Sequence, residues 1–140
     1  MLLSLAFGAL IGLDRERHGR EVGIRTYSAV TVGATLFTSV AAHIVNDPAA
    51  VSRIVANIIT GIGFLGAGVI YRENGLSWGL TTGATLWCTA AVGVAIGLNM
   101  FVIAAAATTI LYGLISLHHK NWYIEWKAKL VEKHSGEESE

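Results

Sequence analysis

The sequence predicts an all-α membrane protein that crosses the bilayer five times, as two parallel-repeat helical hairpins followed by a fifth helix. Three observations lead to this fold class. The chain of 140 residues is 53% hydrophobic and 14% charged, with a mean hydropathy of +0.54, whereas an average soluble domain carries about 25% charged residues. Its apolar residues fall into five segments separated by short polar turns. Five crossings also place nine of the ten basic residues on one side of the membrane.

Each predicted span is a run of apolar residues, and the first run is short. Residues 1–13 do not fill a hydrocarbon core of about 30 Å at about 1.5 Å per residue. We therefore expect this helix either to be clipped at its start or to continue into the charges that follow, until Gly19 or Gly23 ends it. A signal peptide fits less well, because no basic residue precedes the apolar run. The later spans are residues 26–45, 54–71, 80–98 and 100–117.

The uneven distribution of basic residues predicts the orientation of the spans. One side receives the four arginines of residues 14–25, then Arg72, then the four lysines of residues 118–140, whereas the other side receives only Arg53. Because basic residues are enriched in cytoplasmic loops, we expect the N-terminus outside and the C-terminus in the cytoplasm. A four-span chain would divide the basic residues about evenly, so the charges favour five spans.

Two domains follow from this division. Residues 1–117 are expected to form a transmembrane helical domain, and residues 118–140 a cytoplasmic tail. The tail carries Trp122, Tyr123 and Trp126 beside lysines, a composition typical of a membrane interface. Its acidic end is expected to be disordered.

The third span is rich in glycine, which predicts close helix packing. An interior glycine costs a soluble helix about 1 kcal/mol relative to alanine, but in lipid a glycine face lets another backbone approach closely. We expect this face to pack within the monomer or across a homodimer. A dinucleotide-binding motif is excluded, because no strand precedes the run and no acidic residue follows at the required distance. The glycines are Gly61, Gly63, Gly66 and Gly68.

Two stripes of hydroxyl side chains recur at helical spacing. Hydroxyls in such a stripe bond their own helix or a neighbouring one, and we prefer this helix-packing interpretation to a solvent-lined pathway. The second span carries Ser28, Thr31, Thr35 and Thr38, and the fourth carries Thr82, Thr85 and Thr89.

The charged segment at residues 14–25 has two interpretations, a solvated loop that sets topology and a charged site at the membrane face. We expect Asp14 to form a salt bridge with Arg17 or Arg25, because a charge near the bilayer is costly unless it is paired. Cation binding by Asp14 with Glu73 is the alternative, since Mg²⁺ keeps several waters and uses one or two carboxylates. No firm metal site and no cofactor are predicted, although Mg²⁺ is possible at these two carboxylates.

Two nearly identical pentapeptides indicate an internal repeat. Gly-Ala-Thr-Leu-Phe at 33–37 recurs as Gly-Ala-Thr-Leu-Trp at 83–87, and the Arg-Glu pair at 15–16 recurs at 72–73. We interpret the first two spans and the next two as copies of one hairpin, related as a parallel repeat. Coincidence in an apolar sequence of low diversity is the alternative. A real repeat would bring the two Arg-Glu turns together on the cytoplasmic side.

Four motifs resemble the MgtC/SapB family of bacterial inner-membrane proteins. They are Gly-Ala-Leu-Ile-Gly-Leu-Asp-Arg-Glu-Arg at 8–17, Gly-Ile-Arg-Thr at 23–26, the glycine-rich run at 60–70, and Gly-Leu-Thr-Thr-Gly-Ala-Thr-Leu-Trp-Cys at 79–88. The resemblance covers residues 5–98 in order and implies an inner-membrane location. The positions that match the family motif are Asp14, Arg15, Arg25, Thr26, Gly61, Gly63, Gly66, Gly68, Thr81 and Cys88.

The resemblance implies a connection with magnesium limitation, acid stress or survival inside host cells. Some family members act by binding other membrane proteins, including the ATP synthase, and direct magnesium transport is not implied. Many members carry a soluble, ACT-type C-terminal domain, which we expect this chain to lack because it ends shortly after its last span. Thr81 stands where some virulence-associated members carry asparagine, which favours a general role over host survival.

The sequence therefore predicts a regulatory or interaction protein of the membrane, with a small-cation transporter or channel as the alternative. An enzyme is not expected, because the sequence shows no nucleophile–base pair and no metal-ligand cluster. A formal net charge of zero gives no attraction to nucleic acid. The expected partners are the lipid bilayer and either a second copy or another membrane protein. The candidate residues of the charged cytoplasmic face are Asp14, Arg15, Arg25, Thr26, Arg72, Glu73 and Thr81.

Overall fold

A computed structural model describes residues 1–45, 47–73 and 76–117, and these are mostly helical. The predicted tail lies outside the described residues. Three of the five described helices are long and apolar enough to cross a membrane, Ile24–Ile44, Pro48–Gly68 and Leu80–Gly97, and the last helix is a shorter apolar one. The elements are α1 (Leu2–Arg17), α2 (Ile24–Ile44), α3 (Pro48–Gly68), β1 (Tyr71–Glu73), β2 (Leu76–Trp78), α4 (Leu80–Gly97) and α5 (Phe101–Leu117).

The first helix continues through its charges, as one of the two sequence alternatives predicted. It ends at Arg17, and Gly19 follows with φ of 65°, a left-handed conformation that favours glycine. The third helix begins earlier than predicted, at Pro48 instead of residue 54. Asp47 accepts a hydrogen bond from the Ala49 amide at 2.9 Å, so an acidic N-cap and a first-turn proline begin this helix.

The prediction of a simple turn at residues 72–79 is wrong, because most of this segment forms a β-hairpin. Strands β1 and β2 are antiparallel, and Tyr71 pairs with Trp78. Gly79 ends the hairpin with φ of 80°, and a Cβ there would overlap the Val69 carbonyl oxygen. A glycine is therefore required where the hairpin turns directly into α4.

Glycines of α1 bring it against α2. A Cβ built on Gly8 would lie 2.5 Å from the Thr31 hydroxyl oxygen, and one on Gly12 would lie 2.5 Å from the Ile24 Cα. Residues later in α1 contact residues earlier in α2, so the two helices are antiparallel. Neither position has room for a methyl group, so the two backbones approach closely, as small residues allow between membrane helices.

Helices α2 and α4 pack side by side and run in the same direction. Tyr27 contacts Thr85, Thr35 contacts Gly93, and the Ser39 hydroxyl contacts the Gly97 carbonyl, each pair 58 positions apart. A constant offset means that both helices begin at the same end of the bundle. The α1–α2 turn and the β-hairpin therefore lie together, at what we call the hairpin end.

Two apolar clusters fill the interior between the helices. The cluster toward the hairpin end includes Ile11, Tyr27 and Leu86, with Leu111 and Ile115 of α5. The other cluster lies further from that end and contains Val92, Ile96 and Ala104, with Phe7 packed against them. The last turns of α5 thus return to the hairpin end.

The internal repeat stays a prediction, and its matched positions have different surroundings. Gly83 faces Gly66 closely, whereas no heavy atom lies within 4 Å of a Cβ built on Gly33. Arg15 is buried in α1, and its counterpart Arg72 is exposed in β1. Similar pentapeptides have therefore come to make different contacts.

A methyl group added at Gly93 tests the α2–α4 contact. Its Cβ would lie 2.5 Å from the Thr31 carbonyl oxygen and 2.8 Å from the Ala34 Cβ, so Gly93→Ala must separate the helices. We expect the free energy of unfolding to fall by about 1–3 kcal/mol, as at other overpacked contacts. Thermal unfolding in detergent measures the change.

Gly33→Ala is the matched control, because it adds the same methyl group to α2 in open space. Alanine also favours a helix over glycine by about 1 kcal/mol, so this variant should not unfold at a lower temperature. Equal losses in the two variants would contradict the packing described here.

Candidate functional site

The hairpin end carries two buried ionisable side chains next to each other in sequence. Asp14 is 6% exposed and Arg15 is 4% exposed. Both belong to the last turn of α1, which the helix reaches because it continues past its apolar segment. The remaining predicted residues of the charged face are exposed: Arg25, Thr26, Arg72, Glu73 and Thr81.

The Arg15 guanidinium reaches across the bundle to α4. Its Nη2 donates a hydrogen bond to the Thr82 hydroxyl at 2.8 Å. Its Nε is buried without a hydrogen-bond partner, and no carboxylate of the described residues lies within 4.0 Å of it. A buried cation without a counter-charge is costly, so Arg15 is an electrostatically incomplete group.

Asp14 does not form the predicted salt bridge with Arg17 or Arg25. Its Oδ1 lies 3.7 Å from His18 Nδ1 one turn further along the helix, and the same nitrogen lies 2.7 Å from the Asp14 carbonyl oxygen. Its Oδ2 is buried and has no partner in the part of the chain that the structure describes. The helix direction explains the error, because both predicted arginines point out to solvent.

A buried hydroxyl pair lies one turn below the Arg15 contact. The Tyr27 hydroxyl lies 2.5 Å from Thr85 Oγ1, which also donates to the Thr82 carbonyl oxygen at 3.0 Å. Tyr27 was not among the predicted site residues, and Thr82 was predicted only as part of a packing stripe. The available signal was that a tyrosine inside an apolar run needs a partner for its hydroxyl.

The two hydroxyl stripes pack against each other, so the helix-packing interpretation is confirmed. Thr31, Thr35 and Thr89 each donate to the carbonyl four residues earlier, at 2.7–2.8 Å. The Thr35 hydroxyl also lies 2.9 Å from the Gly93 carbonyl oxygen. These side chains are at most 2% exposed, and they fill the contact between helices instead of lining a channel.

A small pocket opens at the hairpin end, beside the Arg15–Thr82 contact. Its volume is about 160 Å³. It lies between the α1–α2 turn, the base of the hairpin and the first turn of α4. Its lining combines two charged side chains, two aromatic rings and a hydroxyl: Gly19, Arg20, Glu21, Val69, Tyr71, Trp78, Gly79 and Thr82.

The described residues contain no group of three His, Cys, Asp or Glu side chains that could hold a metal ion. The two candidate carboxylates differ in their surroundings. Asp14 is buried in α1, and Glu73 is exposed in β1. Cation binding by them stays a prediction.

Most of the glycine face of α3 makes no contact within the chain. Among its four glycines only Gly66 is buried, and a Cβ built there would lie 3.7 Å from the Gly83 backbone. Gly61, Gly63 and Gly68 face open space. Of the α3 glycines, only Gly66 therefore takes part in packing within the monomer. A groove of about 590 Å³ separates α3 from α2 and is lined by Gly61 and Asn57.

Replacing Arg15 tests whether its charge is uncompensated. Arg15→Met keeps an unbranched stem but removes the guanidinium, and Thr82, which is partly exposed and lines the pocket, keeps access to water. Since replacing buried charges by apolar side chains is often neutral or stabilising, we expect no loss of unfolding temperature in a neutral detergent. Arg17→Met, at an exposed neighbour, is the control. A loss of about 3–5 kcal/mol, typical of breaking a buried ion pair, would show that Arg15 has a partner.

Comparison with known proteins gives one consistent result. A family model described as the MgtC family matches residues 1–121. Protein MgtC of Salmonella typhimurium LT2 is 46% identical over 111 residues, 79% of this chain and 47% of the relative. Protein MgtC of Brucella abortus 2308 is 44% identical over 110 residues, 79% of this chain and 46% of the relative. The chain thus spans about half the length of these relatives. No solved structure matches it.

Proposed function

Because the chain belongs to the MgtC family of bacterial membrane proteins, we propose that it is a regulatory protein of the inner membrane that works by helix–helix association. Its partner on this proposal is a second copy of the chain, and its physiological role is linked to magnesium or acid-stress homeostasis. The link to magnesium and acid stress rests on the family resemblance.

The observation that carries this proposal is the unpartnered face of α3. Only 6% of the residues in its apolar 18-residue stretch are buried in the chain, whereas the corresponding share for α4 is 56%. This helix packs Ile58 and Ile62 against the core but buries so few of its residues that most of its surface faces lipid or a partner. Glycines on that surface would be of no use against lipid alone, since their advantage is close approach of another backbone.

Asn57 strengthens the case for a protein partner. It lies near the middle of α3 and is exposed, and its side chain makes no hydrogen bond within the described part of the chain. An unpaired amide in the hydrocarbon core is costly. Asn57, Gly61, Phe64 and Gly68 share one helix face, and Phe64 is 81% exposed there. Two copies would approach at Gly61, with the Phe64 rings packed beside the contact, until their Asn57 side chains bond each other.

The packing direction of the helices supports five crossings. Helix α1 is antiparallel to α2, while α2 and α4 run in the same direction, so successive helices alternate as a membrane chain requires. The arginines of the α1–α2 turn and Arg72 lie at the hairpin end, while Arg53 lies in the first turns of α3 at the other end. With the positive-inside rule, we propose that the hairpin end faces the cytoplasm and the N-terminus lies outside.

A small-cation transporter is the second candidate, and the orphaned Asp14 carboxylate favours it. A buried carboxylate oxygen without a partner is a group that a cation would satisfy. Against this function, the hydroxyl stripes are packed together and leave no polar pathway between α2 and α4.

A leucine at Gly61 tests association through α3. Gly61→Leu should lower self-association at least severalfold, measured by energy transfer between labelled copies in liposomes, because its side chain would hold two backbones apart. Gly113→Leu is the control, since Gly113 of α5 also faces open space. Gly66→Leu should instead lower the unfolding temperature, because Gly66 packs on Gly83 of the same chain. Unchanged association in Gly61→Leu would remove the proposed interface.

Ion flux into proteoliposomes separates the two candidate functions. The regulatory function predicts no uptake of Mg²⁺ or protons above that of empty liposomes. Uptake that Asp14→Asn abolishes, while Glu16→Gln at an exposed neighbour leaves it intact, would establish the transporter function instead.

A further inference from the structure

We propose that the 160 Å³ pocket at the hairpin end binds a phosphate group, held by the first turn of α4 and the Thr82 side chain. Arg15 does not line the pocket and acts on it through its hydrogen bond to Thr82. The proposal deepens the proposed function and rests on it in one respect, the placement of the hairpin end at the cytoplasmic membrane face. It assigns a ligand to a site that helix association does not use.

The missing counter-charge of Arg15 is the first argument. The side chain is 4% exposed, its Nε has no partner, and no carboxylate of the described residues pairs with it. The neighbouring Asp14 carboxylate lies near His18 instead. Arg15 reaches the pocket only through Thr82, so a phosphate bound there would offset the guanidinium charge at short range without a direct hydrogen bond to it.

The Thr82 hydroxyl gives the second argument, because it connects Arg15 to the pocket. Its oxygen accepts the bond from Arg15, and Thr82 is one of the residues that line the pocket. Its hydrogen has no acceptor among the described residues, in contrast to Thr89, which donates to the Thr85 carbonyl. The Thr82 hydroxyl is thus free to donate to an oxygen in the pocket, and the Arg15 charge strengthens that donor.

The start of α4 supplies the third argument. Gly79 is the N-cap residue and no side chain caps this 18-residue helix. The first amides of a helix are unsatisfied and carry the positive end of the helix dipole, which favours an anion. Gly79 and Thr82 both line the pocket, so the ligand would sit against these amides.

The pocket has the size and the positive charge to bind a small anion, and it also contains one acidic residue that opposes anion binding. A volume of about 160 Å³ is below the several hundred Å³ typical of drug-sized ligands and suits a single phosphate group. Arg20 adds a second positive charge at the rim, and Tyr71 and Trp78 form its apolar side. Glu21 is the one acidic residue of the lining and is exposed, so it weakens the binding of an anion without preventing it.

Two sources of phosphate are compatible with this site. A phospholipid headgroup lies at the depth of the hairpin end if the helices cross the bilayer, and basic pockets between helices at this leaflet bind anionic headgroups. Free phosphate reaches the same opening from water. The same hydrogen-bond donors serve both, so the test must separate them.

The experiment measures unfolding temperature of the full chain, purified in a neutral detergent and freed of lipid. Three additions are compared: inorganic phosphate, phosphatidylglycerol, and a diacylglycerol with the same acyl chains but no phosphate. We expect phosphate, phosphatidylglycerol or both to raise the unfolding temperature, and diacylglycerol to have no effect. Stabilisation by phosphatidylglycerol alone identifies a headgroup site, and stabilisation by phosphate alone identifies a soluble ligand.

Variants decide whether the effect comes from this pocket. Thr82→Val should weaken the apparent affinity about tenfold, the effect of losing one hydrogen bond to a charged group, and Thr82→Ser should retain it. Arg15→Met should weaken it as well, and Glu21→Gln should strengthen it. Arg25→Gln, an exposed charge outside the pocket, is the control for unspecific attraction.

No stabilisation by either phosphate compound, or equal stabilisation of the parent chain and Thr82→Val, would overturn the proposal. These outcomes are independent of self-association through α3, which is measured on the Gly61 variant. The phosphate site and the proposed function can therefore fail separately.

Discussion

Close approach of the α2 backbone to α1 on one side and α4 on the other is the constraint on which the rest of the structure depends. Lipid gives helices no hydrophobic reason to associate, so contact area and shape must hold them together. Gly8 and Gly12 allow the first contact, and Gly93 and Gly97 allow the second. The hydroxyls of Thr31, Thr35 and Thr89 donate to carbonyls of their own helix, so they are satisfied where water is absent. The Thr38 hydroxyl, further along α2, is buried without a partner among the described residues.

The charged site follows from this packing. Because α1 stays against α2 as far as Gly12, its next turn carries Asp14 and Arg15 to the edge of the bundle while they are still covered by neighbouring helices. The parallel arrangement of α2 and α4 brings Thr82 to the same edge. The result is a well-packed scaffold that ends in two incompletely satisfied charges. Local departures of this kind from good packing chemistry are typical of functional sites.

Much of the helical content could be predicted from sequence, because apolar runs and helical spacing are local signals. The extension of α1 to Arg17 and the role of the hydroxyl stripes belong to this part. The β-hairpin could not be found in this way, since strands of three residues are too short for an alternating pattern. The Arg15–Thr82 and Tyr27–Thr85 contacts join residues 67 and 58 positions apart, and no local pattern encodes them. The Asp14 prediction failed because spacing along a helix limits distance but does not set side-chain direction.

Tyr71 and Trp78 are cross-strand partners at the base of the hairpin, and in a bilayer they would hold the hairpin at a fixed depth. Both are about half exposed, at 46% and 48%, and as cross-strand partners they join the segment that follows α3 to the segment that precedes α4. Aromatic side chains with polar tips settle at the level between acyl chains and water. Tyr71 and Trp78 would resist sliding of α3 and α4 along the bilayer normal. When the surrounding lipid becomes thinner or thicker, these helices would change their tilt, and the arginine-rich end would stay out of the hydrocarbon.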